Sequence, residues 1–308
     1  MHGVINLLKP PGMTSHDAVA FVRRALHIKR VGHTGTLDPA AAGVLPICVG
    51  QATRLAEYLQ AGRKTYLAEA TFGYETDTLD GVGQTVREGD PSGVTLDAMR
   101  GALEAFRGEI EQVPPAFSAI KRDGQKLYDL ARAGQLDESE LSPRRVTIYD
   151  VQPTRFVPGV AGERLRALIH VECSSGTYIR SLVRDVGRAL GCGATMTFLV
   201  RLQSGSFSIE DAVTLEDIAA DPQAVLLPLR AVLRGLALPM ATDDAAARTL
   251  AQGQRINVAE MPFSSREAAP LPALLIIESA SGSIVALAAP VPGAAVWYKP
   301  EKVLILEP

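Results

Sequence analysis

Two stretches of the chain alternate apolar and polar positions with a period of two. Lys64 to Gly73 sets Tyr66, Ala68, Ala70 and Phe72 against Thr65, Leu67, Glu69 and Thr71. Leu165, Ala167, Ile169, Val171 and Cys173 repeat the pattern later in the chain. Both read as strands with one face in a core, and Val4 to Leu8 as a shorter one. Helical spacing governs other segments. Val19, Val22 and Leu26 share a face of a helix opened by Thr14-Ser15-His16-Asp17, a capping box with aspartate in place of glutamate or glutamine. Leu96, Met99, Leu103 and Phe106 mark a second helix, capped by Thr95 and ended by Gly108. Ile179, Leu182, Val183, Val186 and Leu190 mark a third, which Ser174-Ser175-Gly176 joins to the preceding strand and Gly191 ends. A further helix is expected near Ala52 to Leu59. Past Leu233 to Pro239 the elements shorten to a helix over Asp243 to Ala251 and β runs at Leu274–Glu278, Ile284–Ala288, Val296–Tyr298 and Val303–Leu306. The pattern predicts a larger domain over residues 1–235 and a small β-rich one over 236–308.

Composition narrows the class without naming it. With 308 residues, 47% of them hydrophobic, the chain has material for a real core and for two domains. A formal charge of −3 does not announce a nucleic-acid binder, but the charge is uneven. Residues 21–37 carry Arg23, Arg24, Lys29 and Arg30 and no acid, and residues 164–201 carry six arginines against Glu172 and Asp185. Arg180, Arg184 and Arg188 form a stripe at i+4 spacing, expected to be solvated at Arg184 and Arg188. Pro114 to Arg132 reads as an exposed basic loop running into a helix. Three widely spaced cysteines, Cys48, Cys173 and Cys192, argue for a reducing compartment. Residues 279–298 are uncharged but broken by Gly282, Pro290, Pro292 and Gly293, so they predict short strands and no membrane span. With no basic-then-apolar leader, the expected location is the cytoplasm.

The stretch Gly32-His33-Thr34-Gly35-Thr36-Leu37-Asp38-Pro39-Ala40-Ala41-Ala42-Gly43-Val44-Leu45-Pro46 is too rich in glycine and proline for one regular element. Asp38 reads two ways: as the N-cap of a short turn ending near Gly43, or as a lone carboxylate displayed on a rigid loop that a substrate approaches closely. His2, His16, His27, His33 and His170 show no metal-ligand spacing, there is no Gly-x-Ser-x-Gly, and the glycine pairs at Gly81 and Gly191 lack the third glycine of a dinucleotide loop. No cofactor or metal is predicted, so any reaction runs on side chains. The candidates are Asp38, Asp77, Asp80, Tyr66, Tyr178 and Arg180. Asp38 with Asp77 or Asp80 fits a glycosidase pair, while the acidic loop alone fits a solvated turn. Tyr178 and Arg180 open a helix, where free N–H groups favour anions, and Arg180 has the fork for a bidentate carboxylate pair.

These residues resemble a known family. Gly32 to Pro39, continuing through Gly43-Val44-Leu45-Pro46, is similar to the signature of the TruB-type pseudouridine synthases. Asn6-Leu7-Leu8-Lys9-Pro10-Pro11-Gly12-Met13-Thr14-Ser15 resembles the family's N-terminal motif. Lys64-Thr65-Tyr66 and Thr76-Asp77-Thr78 resemble its tyrosine-bearing strand and following loop, and Ser175-Gly176-Thr177-Tyr178-Ile179-Arg180-Ser181-Leu182 its third catalytic motif. The resemblance spans residues 3 to 207. Val200 departs from it, standing where the family commonly has a second arginine beside Arg201.

The resemblance implies an α+β fold: a mixed, mainly antiparallel sheet flanked by helices, followed by a PUA-like β domain. It implies an RNA-gripping insertion at about residues 110–145. The implied activity is conversion of a uridine in the T-loop of transfer RNA, position 55, to pseudouridine, with no cofactor and no metal. Asp38 is then the catalytic carboxylate, Arg180 its ion-pair partner, and Tyr66 the ring against the uracil. Tyr178 and Leu199 line the pocket, and His33 sits near the stack that the flipped base vacates. The same motifs occur in catalytic subunits of guide-RNA-dependent complexes, but the 114–132 insertion and the lack of basic tails favour a standalone enzyme. It is expected to be a monomer with no obligate protein partner and no membrane contact.

Overall fold

Strand β1 (Gly3–Lys9) shows why the chain folds in layers. Successive side chains of a strand point to opposite faces, and in β1 both faces are apolar. Ile5 and Leu7 join one core cluster and Val4 another. The computed structural model describes residues 1–117, 121–122, 125–126, 141–159, 163–260 and 273–306. Helix α1 (Ser15–Leu26) opens on the predicted capping box: the Asp17 amide donates to Thr14 Oγ1, and the Thr14 amide donates to the Asp17 carboxylate at 2.9 Å. Strands β2 (Val31–His33) and β3 (Ala42–Val49) bracket the Asp38 loop. The helix expected at Ala52 to Leu59 is instead a 3₁₀ turn over Gly50–Leu55 and a short α2 (Ala56–Gln60).

The two clearly alternating segments form β4 (Lys64–Phe72) and, after several elements, β11 (Arg166–Cys173). Between them come the ribbon of β5 (Tyr74–Thr76) and β6 (Thr85–Glu88), α3 (Leu96–Glu104), β7 (Gly108–Gln112), the small pair β8 (Lys121–Arg122) and β9 (Gln125–Lys126), and the long β10 (Arg144–Val157). Pro114, Pro115 and Ala116 are buried, against the expectation of an exposed loop, because they pass under the start of the third predicted helix; most of the remaining segment to Arg132 lies outside the described residues. That helix is α4 (Ile179–Ala189), followed by β12 (Ala194–Ser204), β13 (Phe207–Ser208), α5 (Leu215–Ala220), β14 (Leu227–Pro228) and α6 (Leu229–Arg234). The small unit contains β15 (Leu238–Ala241), α7 (Asp244–Ala251), β16 (Ile256–Asn257), β17 (Leu275–Glu278), β18 (Ile284–Val291) and β19 (Ala294–Leu306). The two runs expected at Val296–Tyr298 and Val303–Leu306 are one strand. Lys299, Pro300 and Lys302 continue the pairing with β18 through register shifts that absorb the irregular residues.

The large sheet runs β14-β1-β3-β12-β4-β11-β10-β7, with β2 on β3 and β13 on β12, and every pairing in it is antiparallel except β3 with β12. Helices α1, α3, α4 and α5 cover one face through Val22, Met99, Leu182, Val186 and Ile218. On the other face Val44 and Cys48 meet Leu55, Leu59 and Leu233, and that cluster continues into Ile276, Ile284 and Leu304 of the second sheet, β15-β17-β18-β19-β16. The two sheets thus share an apolar seam, stitched at its edge by Lys302 to Glu57 at 2.6 Å. No helix among the described residues is long and apolar enough to cross a membrane.

The arginine stripe of α4 is solvated as expected at Arg188, whose side chain is 52% exposed, but not at Arg184. Arg184 is buried, bonded to Asp185 and the Val113 carbonyl. Arg188 forks onto Glu75, a carboxylate 2% exposed, at 2.6–3.1 Å. The periodicity placed these arginines off the aliphatic face, but β5 lies there and needs countercharge for its buried glutamate.

Gly43 sits opposite Arg201 in the pairing of β3 with β12. Its φ is +111°, and a Cβ would stand 2.2 Å from the Arg201 carbonyl oxygen. Gly43→Ala combines backbone strain with a backbone clash, so it should lower unfolding free energy by about 3 kcal/mol in urea. A loss below about 1 kcal/mol would show that the two strands part easily.

Candidate active site

Asp38 sits in a tight turn, the Ala41 amide donating to the Asp38 carbonyl at 3.0 Å, with Pro39 in the second position that its fixed φ suits. No helix follows, so the N-cap reading fails: the next regular element is β3, and the carboxylate turns away from the turn's amides. The loop is held from beneath. The Ser15 hydroxyl donates to the Leu37 carbonyl and accepts from the Leu37 amide, both at 2.9 Å. The Gly12 amide donates to the Pro39 carbonyl at 2.8 Å. Buried Lys9 gives its ammonium to the carbonyls of Pro10, Met13 and Pro39. The Asp38 position is therefore fixed by backbone contacts from the N-terminal motif.

The carboxylate reaches α4. Asp38 Oδ2 lies 3.1 Å from Arg180 Nε, with the Asp38 side chain 37% exposed and that of Arg180 only 8%. The pairing is not the expected bidentate fork. Arg180 Nη1 donates to the Thr78 carbonyl at 3.0 Å and meets Asp80 Oδ2 at 3.3 Å, while Nη2 donates to the Phe117 carbonyl at 3.0 Å. One guanidinium thus joins the Asp38 loop, the acidic loop and the segment after β7. Asp80 was a sequence candidate only as half of a glycosidase pair; here it shares Arg180 with Asp38. Asp77, the other candidate, accepts from the Gln84 amide at 2.8 Å and serves its own loop.

Burial pushes the Asp38 carboxyl above the usual carboxylate range; Arg180 and Lys9 pull it back, and Asp80 pushes it further up. A carboxylate raised in this way holds its charge less comfortably than in water and is a stronger base and nucleophile when ionised. Burial likewise raises the Tyr66 phenol, so it stays protonated near neutrality. Burial, with His16 and Arg201, lowers His33, which is therefore a neutral ring at the end of β2. Its Nδ1 accepts from the Gly35 amide at 3.2 Å, and its ring meets His16 edge-on at 6.1 Å.

A cavity of about 250 Å³ opens beside Asp38, lined by Ala40, Ala41, Tyr74, Asp80, Gly81, Val82, Met196, Thr197, Phe198 and Leu199. Of the six predicted site residues, Asp38 and Leu199 form its wall, and Arg180 stands directly behind Asp38. Tyr66 is 6% exposed in the main core, opposite Arg201 across the β4/β12 pairing. Tyr178 is the residue before α4, its peptide bracketed by the Gln112 side chain, which accepts from the Tyr178 amide and donates to its carbonyl. His33 stands at the loop's entrance. Sequence reasoning missed Tyr74, Val82 and Phe198. Val82 and Phe198 are exposed apolar side chains that both line the cavity, and Phe198 owes its direction to a register shift in β12 between Met196 and Phe198.

Removing either neighbour should move the Asp38 carboxyl in a defined direction. Asp80→Asn deletes a like charge and should lower its pKa, while Arg180→Met deletes the opposite charge and should raise it. Carbon-13 NMR titration of the Asp38 carboxyl checks both; a shift of the same sign in the two variants would refute the shared-guanidinium arrangement.

Comparison with known proteins fits this geometry. The family model of the TruB family pseudouridylate synthase N-terminal domain matches residues 23–179, and that of the tRNA pseudouridylate synthase B C-terminal domain matches residues 180–242. The tRNA pseudouridine synthase B of Symbiobacterium thermophilum is 54% identical over 248 residues, covering 80% of this chain and 81% of the relative. That of Pelotomaculum thermopropionicum is 44% identical over 270 residues, covering 85% and 84%. The crystal structure of a Cbf5-Nop10-Gar1 complex contains a chain similar at TM-score 0.71 and 28% identity, covering 99% of this chain and 85% of that one.

Proposed function

The chain belongs to the TruB family of pseudouridylate synthases, and on that premise we propose that it isomerises the T-loop uridine of transfer RNA, position 55, to pseudouridine, with Asp38 as the reacting carboxylate. The observation that carries this reading is the Arg180 guanidinium, which pairs with Asp38 at 3.1 Å at the wall of a cavity while leaving it partly open. The reaction breaks the C1′–N1 glycosidic bond, forms a C1′–C5 bond, releases the C5 hydrogen as a proton and returns a proton to N1. Nothing is oxidised or reduced, so the side chains of this site suffice and no cofactor enters. The 38–41 turn presents Asp38 to the ribose end of the nucleotide. Leu199 and Met196 give the uracil an apolar wall against which to turn, and Tyr66 supports that wall from behind as a neutral phenol. The neutral ring of His33 is suited to fill the stack left when the base leaves it, and Tyr178 borders the site from the start of α4.

The division of labour follows the two sheets. Residues 1–235 perform the chemistry, and residues 236–308, a PUA-like unit, bind the RNA stem together with the insertion at about 110–145 through shape and phosphate contacts. The enzyme acts as a standalone monomer in the cytoplasm. A guide-RNA-dependent role is less well supported, because the C-terminal family model and relatives at 44–54% identity carry the name of transfer RNA pseudouridine synthases.

The test uses transfer RNA tritiated at uracil C5, from which pseudouridine formation must release tritium. Asp38→Asn keeps the shape and loses the charge. Its single-turnover rate should fall by at least about 10³, or ~4 kcal/mol of barrier, with transfer RNA still bound. Arg180→Lys keeps the charge but cannot serve four acceptors in a plane, so the rate should fall by at least about tenfold with affinity retained. A folded Asp38→Asn protein with undiminished tritium release would end the proposal.

A further inference from the structure

We propose that Arg201 is a positioning residue for the reaction, a clamp that fixes both legs of the Asp38 loop from below. Arg201 is 1% exposed and ranks among the largest fully buried side chains. Among the described residues no carboxylate lies within ion-pair distance of it. Its guanidinium instead meets backbone on both sides of Asp38. Nε donates to the Val44 carbonyl at 2.7 Å, on the leg leaving the loop, and Nη2 donates to the Gly35 carbonyl at 3.2 Å, on the leg entering it. It also faces the Tyr66 phenol.

A buried cation without a counter-ion is a poor device for stability, since an apolar side chain of similar volume usually folds as well or better. Nor is the side chain needed to align the strands, because β12 already pairs with β3 through backbone at Val200↔Ala42 and Arg201↔Gly43. What the guanidinium adds is one rigid plane spanning Gly35 and Val44. The eight residues between those two carbonyl-bearing positions, 36–43, include the whole Asp38 turn. Lys64 and Lys9 share this buried layer, and burial, with Arg201 adding to it, pushes both ammonium groups down to about 8. Their own carbonyl partners are Gln60 and Gly62 for Lys64 and, for Lys9, Pro10, Met13 and Pro39, so neither duplicates the span.

The inference rests on Asp38 being the reacting carboxylate, and its test has an arm that does not. In Arg201→Lys the ammonium can hold one leg but not both. The single-turnover rate should fall by about 10²-fold, as small misplacements of a reacting group do, with transfer RNA affinity unchanged. Amide exchange should quicken at Thr34 and Ala41, whose bonds to Pro46 and Asp38 define the loop, but not in β4 or α4. The acid limb of the rate profile should move to lower pH, because a loosened loop lets water reach Asp38 while its charged neighbours, Arg180 on α4, Asp80 on the acidic loop and Lys9 on β1, stay in place. Arg201→Gln, which removes the buried charge, carries the same tests if the lysine variant unfolds. A rate close to that of the unaltered protein would overturn the proposal. So would faster exchange spread evenly over the chain with an unmoved acid limb, which would make Arg201 a core residue only. If the unaltered protein releases no tritium, the reaction assignment fails, and the exchange arm still decides whether the clamp exists.

Discussion

One guanidinium organises the site. Arg180 serves Asp38, Asp80, the Thr78 carbonyl and the Phe117 carbonyl, groups drawn from three separate segments. Such sharing needs a planar, permanently charged donor with several N–H groups, which only arginine supplies. It also needs a fixed base. Gln112 brackets the peptide of Tyr178 just before α4, and Ser181 donates to the Val113 carbonyl at 2.8 Å, so the first turn of α4 is bolted to the end of β7. The large sheet in turn holds β7 through β10. The aim of the Asp38 carboxylate therefore derives from the sheet's far edge as well as from its own loop.

Beneath that loop the protein uses buried cations against backbone carbonyls instead of carboxylates. Lys9, Lys64 and Arg201 are all nearly inaccessible and all donate to main-chain oxygens. Carbonyls solvate a cation less well than water, so the arrangement costs stability. In return it sets irregular backbone that has no ladder of its own, and it keeps competing carboxylates away from the charge that Asp38 must face.

Much of this was legible in the sequence, and the exceptions share a cause. The alternation in β4 and β11 and the aliphatic face of α4 are local patterns, and they formed as read. The spacing of the glycine-rich stretch pointed to Asp38, and the helix opening pointed to Arg180. What spacing could not show was how one group divides among several partners. Asp38 and Asp80 lie on different loops, and only the fold brings both to α4. Arg188 is solvated as read, but helical periodicity is blind to the buried Glu75 that it pairs with. Phe198 escaped notice because its exposure follows from a local shift in strand register, which no residue type announces.

The parallel contact between β3 and β12 has a consequence for how the molecule is made. The Arg201 bonds to Val44 and Gly35 span 157 and 166 positions of sequence. Contacts of such high separation form late, after the entropy of closing the intervening chain has been met. During synthesis, therefore, a ribosome has already released the Asp38 motif long before β12 appears, and the nascent chain carries the family signature without a formed site. The Asp38 loop therefore gains its last buried support only once β12 has been made.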